Sequence, residues 1–183
     1  MKYSTYMVSV VAVLGVALAW CRPAAGPPTV GSSESVPGPS SSELAAIIQA
    51  AVEDRNGTVL DTPPAPRLAE GRMTAAYRSK RDRDLEVVAR SKAGFKSMGF
   101  WYTSFSTKVT VESVEVTGSE ASVRFKELTE EHQSSTANGS SSVPSGYSLP
   151  QIATFRVSGD GWQLHSIAPT VHGGGLPMSV VDG

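Results

Sequence analysis

Few residues in this 183-residue chain combine the type and the spacing that chemistry needs. Glu130 and His132 stand two apart, so on a β-strand both project to one side, where a carboxylate could orient an imidazole and the pair could move a proton. If the phase set by Leu128 holds, that side faces a pocket mouth; otherwise Glu127 to His132 is a solvated strand end. Arg81 and Tyr102 could give an anionic ligand a cation and a hydroxyl. Tyr102 lies in the cluster Phe100-Trp101-Tyr102 with Phe105, and rings so placed are expected to plug the end of a core rather than touch a ligand. His165 is out of phase with Trp162 and Leu164 and is expected to face outward, and His172 stands beside Gly173 to Gly175 in a flexible stretch.

Other chemistries are excluded by what is missing. Cys21 is the one cysteine and has no histidine near it, which rules out a thiol nucleophile. The sequence has no Gly-rich phosphate loop, no His/Cys pair at metal spacing and no nucleophile motif, so no cofactor and no metal are implied. Asn56-Gly57-Thr58 and Asn138-Gly139-Ser140 match the glycosylation acceptor pattern, which matters only in a eukaryotic secretory host.

The elements that must position these residues begin with a helix. Ser40 and Glu43 form a capping box, Leu44, Ile47, Ile48, Ala51 and Val52 repeat on one face, and Asn56-Gly57 ends the run. The prolines at 63, 64 and 66 then hold a loop. A helical region is expected from about Arg67 to Met98 with two apolar stripes: Ala69, Met73, Ala76 and Tyr77, then Leu85, Val88, Ala89 and Phe95. Between them lies the charged run Arg78 to Asp84, where a break or kink near 79–84 is expected, with Arg81 solvated; a single helix with Arg81 on its inner face is the alternative.

From Phe100 the period becomes two. Val109 and Val111 alternate in one phase and Val114 and Val116 in the other, which predicts a β-bulge near Glu112-Ser113 and therefore a bent strand. Gly118-Ser119 is a hairpin turn. The return strand carries Ala121, Val123 and Phe125 and is expected to slip phase to Leu128. A polar, mobile loop is expected over Ser134–Ser148, then strands at Gln151–Val157 and Trp162–Ile167 joined by Ser158-Gly159-Asp160-Gly161. The fold class is α+β: N-terminal helices packed on the concave face of a curved four-stranded antiparallel sheet.

Residues 1–20 read as a signal peptide or membrane-targeting segment: Lys2, then the uncharged run Met7 to Ala19, shorter than a comfortable membrane span. Ala17-Leu18-Ala19 offers a cleavage site, and Leu18-Ala19-Trp20-Cys21 resembles a bacterial lipobox, with Trp20 where a small residue normally stands. Lipidation at Cys21, plain secretion and an uncleaved anchor all stay open. Residues 21–42 are a Pro/Gly/Ser tether, 43–168 the folded domain and 169–183 a flexible tail. Net charge is −1, or −2 once Lys2 is removed, and with export this excludes nucleic acid as a partner.

Helices followed by long bent strands resemble the NTF2-like, cystatin-like cone fold. Val109–Glu127 and Thr154–His165 further resemble a domain of exported actinobacterial proteins, one that sometimes precedes a region assigned as an amidase. The resemblance spans about Leu85 to Ile167 and implies a fold, not an activity, because no amidase region follows. The expected function is an exported, non-catalytic module, held at the cell membrane or secreted, binding a small ligand or a cell-envelope partner. The alternatives are a lyase, cyclase or isomerase using the cone pocket, and a structural component of a membrane-associated assembly.

Overall fold

The computed structural model describes residues 38–159, 161–173 and 175–181, all within the unit Val36–Gly183. The segment expected to be a leader, most of the expected tether and Cys21 lie outside them. Helix α1 spans Ser41–Gly57, and the Ser40 hydroxyl accepts the N–H of Glu43 at 3.1 Å, as the capping pattern predicts. Glu43 does not reach back to complete the box; its carboxylate pairs with Arg72 at 2.7 Å. Leu44, Ile47, Ile48, Ala51 and Val52 are all buried, so the expected face is the one that packs.

Helix α2 spans Ala75–Ser97 without interruption, which corrects the expected break near 79–84. The charged run stays helical because its charges satisfy one another along the surface: Lys80 pairs with Asp84 at 2.7 Å, and Arg81 with Asp82 at 3.2 Å and Glu70 at 3.4 Å. The helix also starts later than expected. Residues 67–74 hold only a 3-10 turn at Glu70–Arg72, because the Asp54 carboxylate takes the N–H groups of Arg67 and Leu68 at 2.7 and 2.9 Å and Thr74 caps α2. Gly99 ends α2 with φ 85°; a Cβ there would fall 2.5 Å from the Thr136 hydroxyl.

Five strands follow: β1 Phe100–Thr117, β2 Glu120–Ser135, β3 Gly139–Ser140, β4 Ser145–Ser158 and β5 Gly161–Pro169. The sheet runs β1-β2-β4-β5, antiparallel throughout, with β3 added at the end of β2. Val111 opposes Phe125 while Ser113 opposes Arg124, so Glu112 is the extra residue of the predicted bulge. Much of the expected 134–148 loop is strand, since β2 runs to Ser135 and β4 begins at Ser145. The helices cover one face of this curved sheet, the expected α+β arrangement.

The core is formed by the apolar face of α1, Leu68 and Met73, and the inward residues Ala121, Val123, Phe125, Ala153, Phe155, Trp162 and Leu164. The side-chain amide of Gln49 seats α1 against the edge of β1, donating to the Thr107 carbonyl at 2.9 Å and accepting the N–H of Val109 at 2.8 Å. It stands where a further strand would pair and so closes that part of the edge. Of the described residues of α2, only Val88 is buried, so this helix lies over the core without filling the space beneath it. No helix among the described residues is long and apolar enough to cross a membrane.

Gln49→Ala removes both edge bonds and leaves half-buried backbone groups unpaired. It is expected to lower unfolding free energy by about 1–2 kcal/mol in urea titration. Unchanged stability would show that water replaces the amide without loss.

Candidate functional site

Along β2 the residues facing the helices change in kind. Ala121, Val123 and Phe125 belong to the apolar core, and the next three in the same phase are Glu127, Thr129 and Glu131, all buried. The expected slip of phase to Leu128 does not occur. Leu128 is 49% exposed, and Glu130 and His132 share its face, so the two candidates do project together, but away from the helices. One residue of phase exchanges the glutamates that face inward.

Glu127 is completely buried and its carboxylate accepts five hydrogen bonds. Asn56 Nδ2 at 2.8 Å, Thr129 Oγ1 at 2.9 Å and the Tyr147 hydroxyl at 2.9 Å donate to Oε1; Arg55 and Gln151 donate to Oε2. Arg55 Nη1 also donates to Gln151 Oε1 at 3.1 Å, and Thr107 and Thr129 join hydroxyls at 2.9 Å. The Ser179 hydroxyl donates to Asn56 Oδ1 at 2.9 Å. Ser179 is buried, so the stretch expected to be a flexible tail is drawn into the domain; Lys80 holds it again through the Val181 carbonyl at 3.3 Å.

The charges follow from these contacts. Burial alone would raise the Glu127 pKa, but the Arg55 charge and the donors outweigh it and hold the carboxyl below its ordinary value. For Arg55, burial works against the cation and Glu127 overcomes it, so its pKa is raised. Glu131 has no such compensation: burial and the negative charge of Glu127 act together and push it up to about 7. Burial likewise raises Tyr147 and takes Tyr77 to about 12. Glu127 is therefore a strut whose charged form is favoured, a poor proton acceptor with its oxygens engaged by five donors.

Beside this network lies a cleft of about 560 Å³, bounded by the end of α1, the proline loop, α2, the middle of β4, the end of β5, and the segment at Val180 and Val181. Its walls are chiefly aliphatic, including Ala51, Leu68, Met73, Leu85, Val88 and Ile167. Arg55, Gln151 and Tyr77 stand at the wall shared with the buried network. The void exists because α2 buries so little of itself.

Arg81 lines the cleft, but engaged in its pairs with Glu70 and Asp82. Tyr102 is outside that lining: its ring stacks on Phe95 at 5.2 Å, Phe95 stacks on Phe100 at 5.6 Å, and burial together with Glu131 raises its pKa. The structure does not bring Arg81 and Tyr102 to one cavity. The aromatic cluster covers an end of the domain without being fully buried, and Phe100 is exposed. His165 is the extra residue of a bulge in β5, with Nδ1 3.2 Å from the Thr74 hydroxyl. Asn56, read as a helix stop and glycosylation acceptor, is fully buried in the network and inaccessible to modification. Sequence reading missed Arg55, Asn56, Glu127, Tyr147, Gln151 and Ser179. The usable signal was the unbroken alternation from Ala121, which places Glu127 inward.

No protein-family model matches the chain, and no curated protein matches it in sequence. Among solved structures, the chain is similar to the intermembrane-space region of chloroplast protein ARC6. That likeness has 15% identity and a TM-score of 0.41 over 73% of this chain and 98% of that one. It is also similar to an NTF2-like family protein of Streptomyces avermitilis provisionally named a dehydratase, with 26% identity and a TM-score of 0.28. There the match covers 46% of this chain and 58% of the other. Neither neighbour's activity carries over.

The two inward glutamates should respond oppositely to neutralisation. Glu127→Gln leaves the half-buried Arg55 without its counter-charge and is expected to cost about 2–4 kcal/mol at pH 7. The Glu127 contribution is present above the ordinary carboxyl pKa and is lost as pH falls through the depressed folded value. Glu131 works the other way. Its folded pKa is raised, so stability falls as pH rises from the unfolded value towards 7, and Glu131→Gln should gain about 2–3 kcal/mol at pH 8 and little at pH 4. Denaturant titrations of both variants across that range check the signs; a gain at pH 8 from Glu127→Gln would overturn the assignment.

Proposed function

We propose that this chain is an exported, non-catalytic module that binds a small amphipathic ligand in the cleft between α1 and α2. The observation that carries the reading is the cleft itself. At about 560 Å³ it has the size of a small-molecule site, and aliphatic walls meet a few fixed polar groups at one side. Arg55 and Gln151 are already paired with Glu127, which suits recognition of shape and apolar surface over bond-making. Proton-transfer chemistry by a lyase, cyclase or isomerase would need titratable groups converging in the cavity. Glu130 and His132 lie on the outer sheet face, and Arg81 is held by two carboxylates. The raised Glu131 is not among the residues lining the cleft.

Export and tethering complete the proposal, supported by the leader pattern and the Pro/Gly/Ser segment behind it. Mass spectrometry of the mature N-terminus separates lipidation at Cys21, cleavage after Ala19 and no cleavage; an unprocessed, cytoplasmic chain would remove the exported part of the proposal.

Ala89 is exposed on α2 and lines the cleft, so Ala89→Trp fills the void without disturbing the core. A thermal-shift screen of small amphiphiles against the full chain should find stabilising compounds. Their affinity is expected to fall at least about tenfold in Ala89→Trp while the unliganded melting temperature stays within about 2 °C. A compound bound equally well by both proteins binds elsewhere. Catalytic turnover that disappears in His132→Ala would replace binding with catalysis.

A further inference from the structure

The cations lining the cleft have carboxylate partners except at one place. Arg55 is neutralised by Glu127, Lys80 by Asp84 at 2.7 Å, and Arg81 by Glu70 and Asp82. The carboxylate of Asp54 has both oxygens taken by the N–H groups of Arg67 and Leu68. Lys92 differs. Its ammonium donates to the carbonyls of Thr58 at 3.1 Å and Leu60 at 2.8 Å, which are neutral acceptors.

Asp61, in the same loop, is 2.6 Å from Lys96 and feels the charge of Lys92 without pairing with it, so two ammonium groups act on one carboxylate. An ammonium has three N–H donors, and two of these are used. Lys92 also follows Val88 and Ala89 by four and three residues on α2, so it sits on the helical face that walls the cleft. A half-buried cation with a spare donor therefore adjoins an aliphatic surface.

Resting on the cleft as the binding site, we infer that its ligand is an amphiphile with one negative charge, a carboxylate head held by Lys92 and an aliphatic body along Leu85, Val88 and Ala89. One charge matches the single uncompensated cation. A dianion would bring excess negative charge towards Asp54 and Asp84, which line the same space. A head without a body would forgo the apolar contact that makes up most of the wall.

Isothermal titration of the full chain with decanoate, decan-1-ol and acetate at low salt tests this. Decanoate is expected to bind about tenfold or more tighter than decan-1-ol, with added salt weakening decanoate alone, and acetate is expected not to bind measurably. Lys92→Met should weaken decanoate about tenfold and leave decan-1-ol unchanged, and Lys92→Arg should restore most of the loss. Equal affinities for decanoate and decan-1-ol in the unsubstituted protein would overturn the charge requirement and leave the cleft standing. Acetate binding as tightly as decanoate would overturn the amphiphile. Failure of both ten-carbon compounds to bind the folded chain would overturn this inference and the cleft reading together.

Discussion

Where α1 ends against the sheet, a half-buried guanidinium meets a fully buried carboxylate, and much of the neighbouring geometry follows from keeping both satisfied. Removing two charges from water costs several kcal/mol each, a cost offset only if geometry is good and every remaining donor and acceptor is used. Arg55 and Glu127 meet that condition by recruiting Asn56 from α1, Thr129 from β2, and Tyr147 and Gln151 from β4. The requirement fixes how far the last turn of α1 can slide or rotate over β2 and β4. Breaking such a cluster by removing one partner costs more than the pair itself contributes, because it strands the remaining charge.

The same constraint divides the domain into two ends. Towards Ala121 and Phe155 the sheet is apolar and α1 packs on it as a greasy face does; towards Glu131 it is polar, and packing gives way to directed bonds. The C-terminal segment joins the polar end through Ser179, so a stretch with no hydrophobic period acquires its place from a hydroxyl bonded to Asn56 and a carbonyl bonded to Lys80. Asn56 is thus shared between the strut and the segment that borders the cleft, and disturbance at one is felt at the other.

Helix α2 is governed by a different balance. Its surface is dense in charges that pair with one another and with loop carbonyls, and it buries only Val88 among its described residues. Pairing keeps the helix whole through the run from Arg78 to Asp84, while the shortage of buried apolar contact leaves space beneath it. The cleft is the consequence: a helix anchored at its ends, by Thr74 against β5 and by Gly99 against the β2–β3 turn, over a core it does not fully touch.

The sequence alone determined the order of elements, the buried face of α1, the bulge at Glu112 and the α+β class. Each is written in short-range periodicity, where the steric period of helix or strand and the position of glycine leave little choice. It could not decide the phase of β2 beyond Phe125, because Leu128 offered an apolar residue in the wrong register and local pattern cannot weigh it against a carboxylate. That choice belonged to Arg55, 72 residues away, whose charge makes an inward Glu127 favourable. The seating of Ser179 was likewise settled by a partner distant in the chain, Asn56. Long-range pairing of polar groups has no period to read, so the fold was legible in the sequence and the site was not.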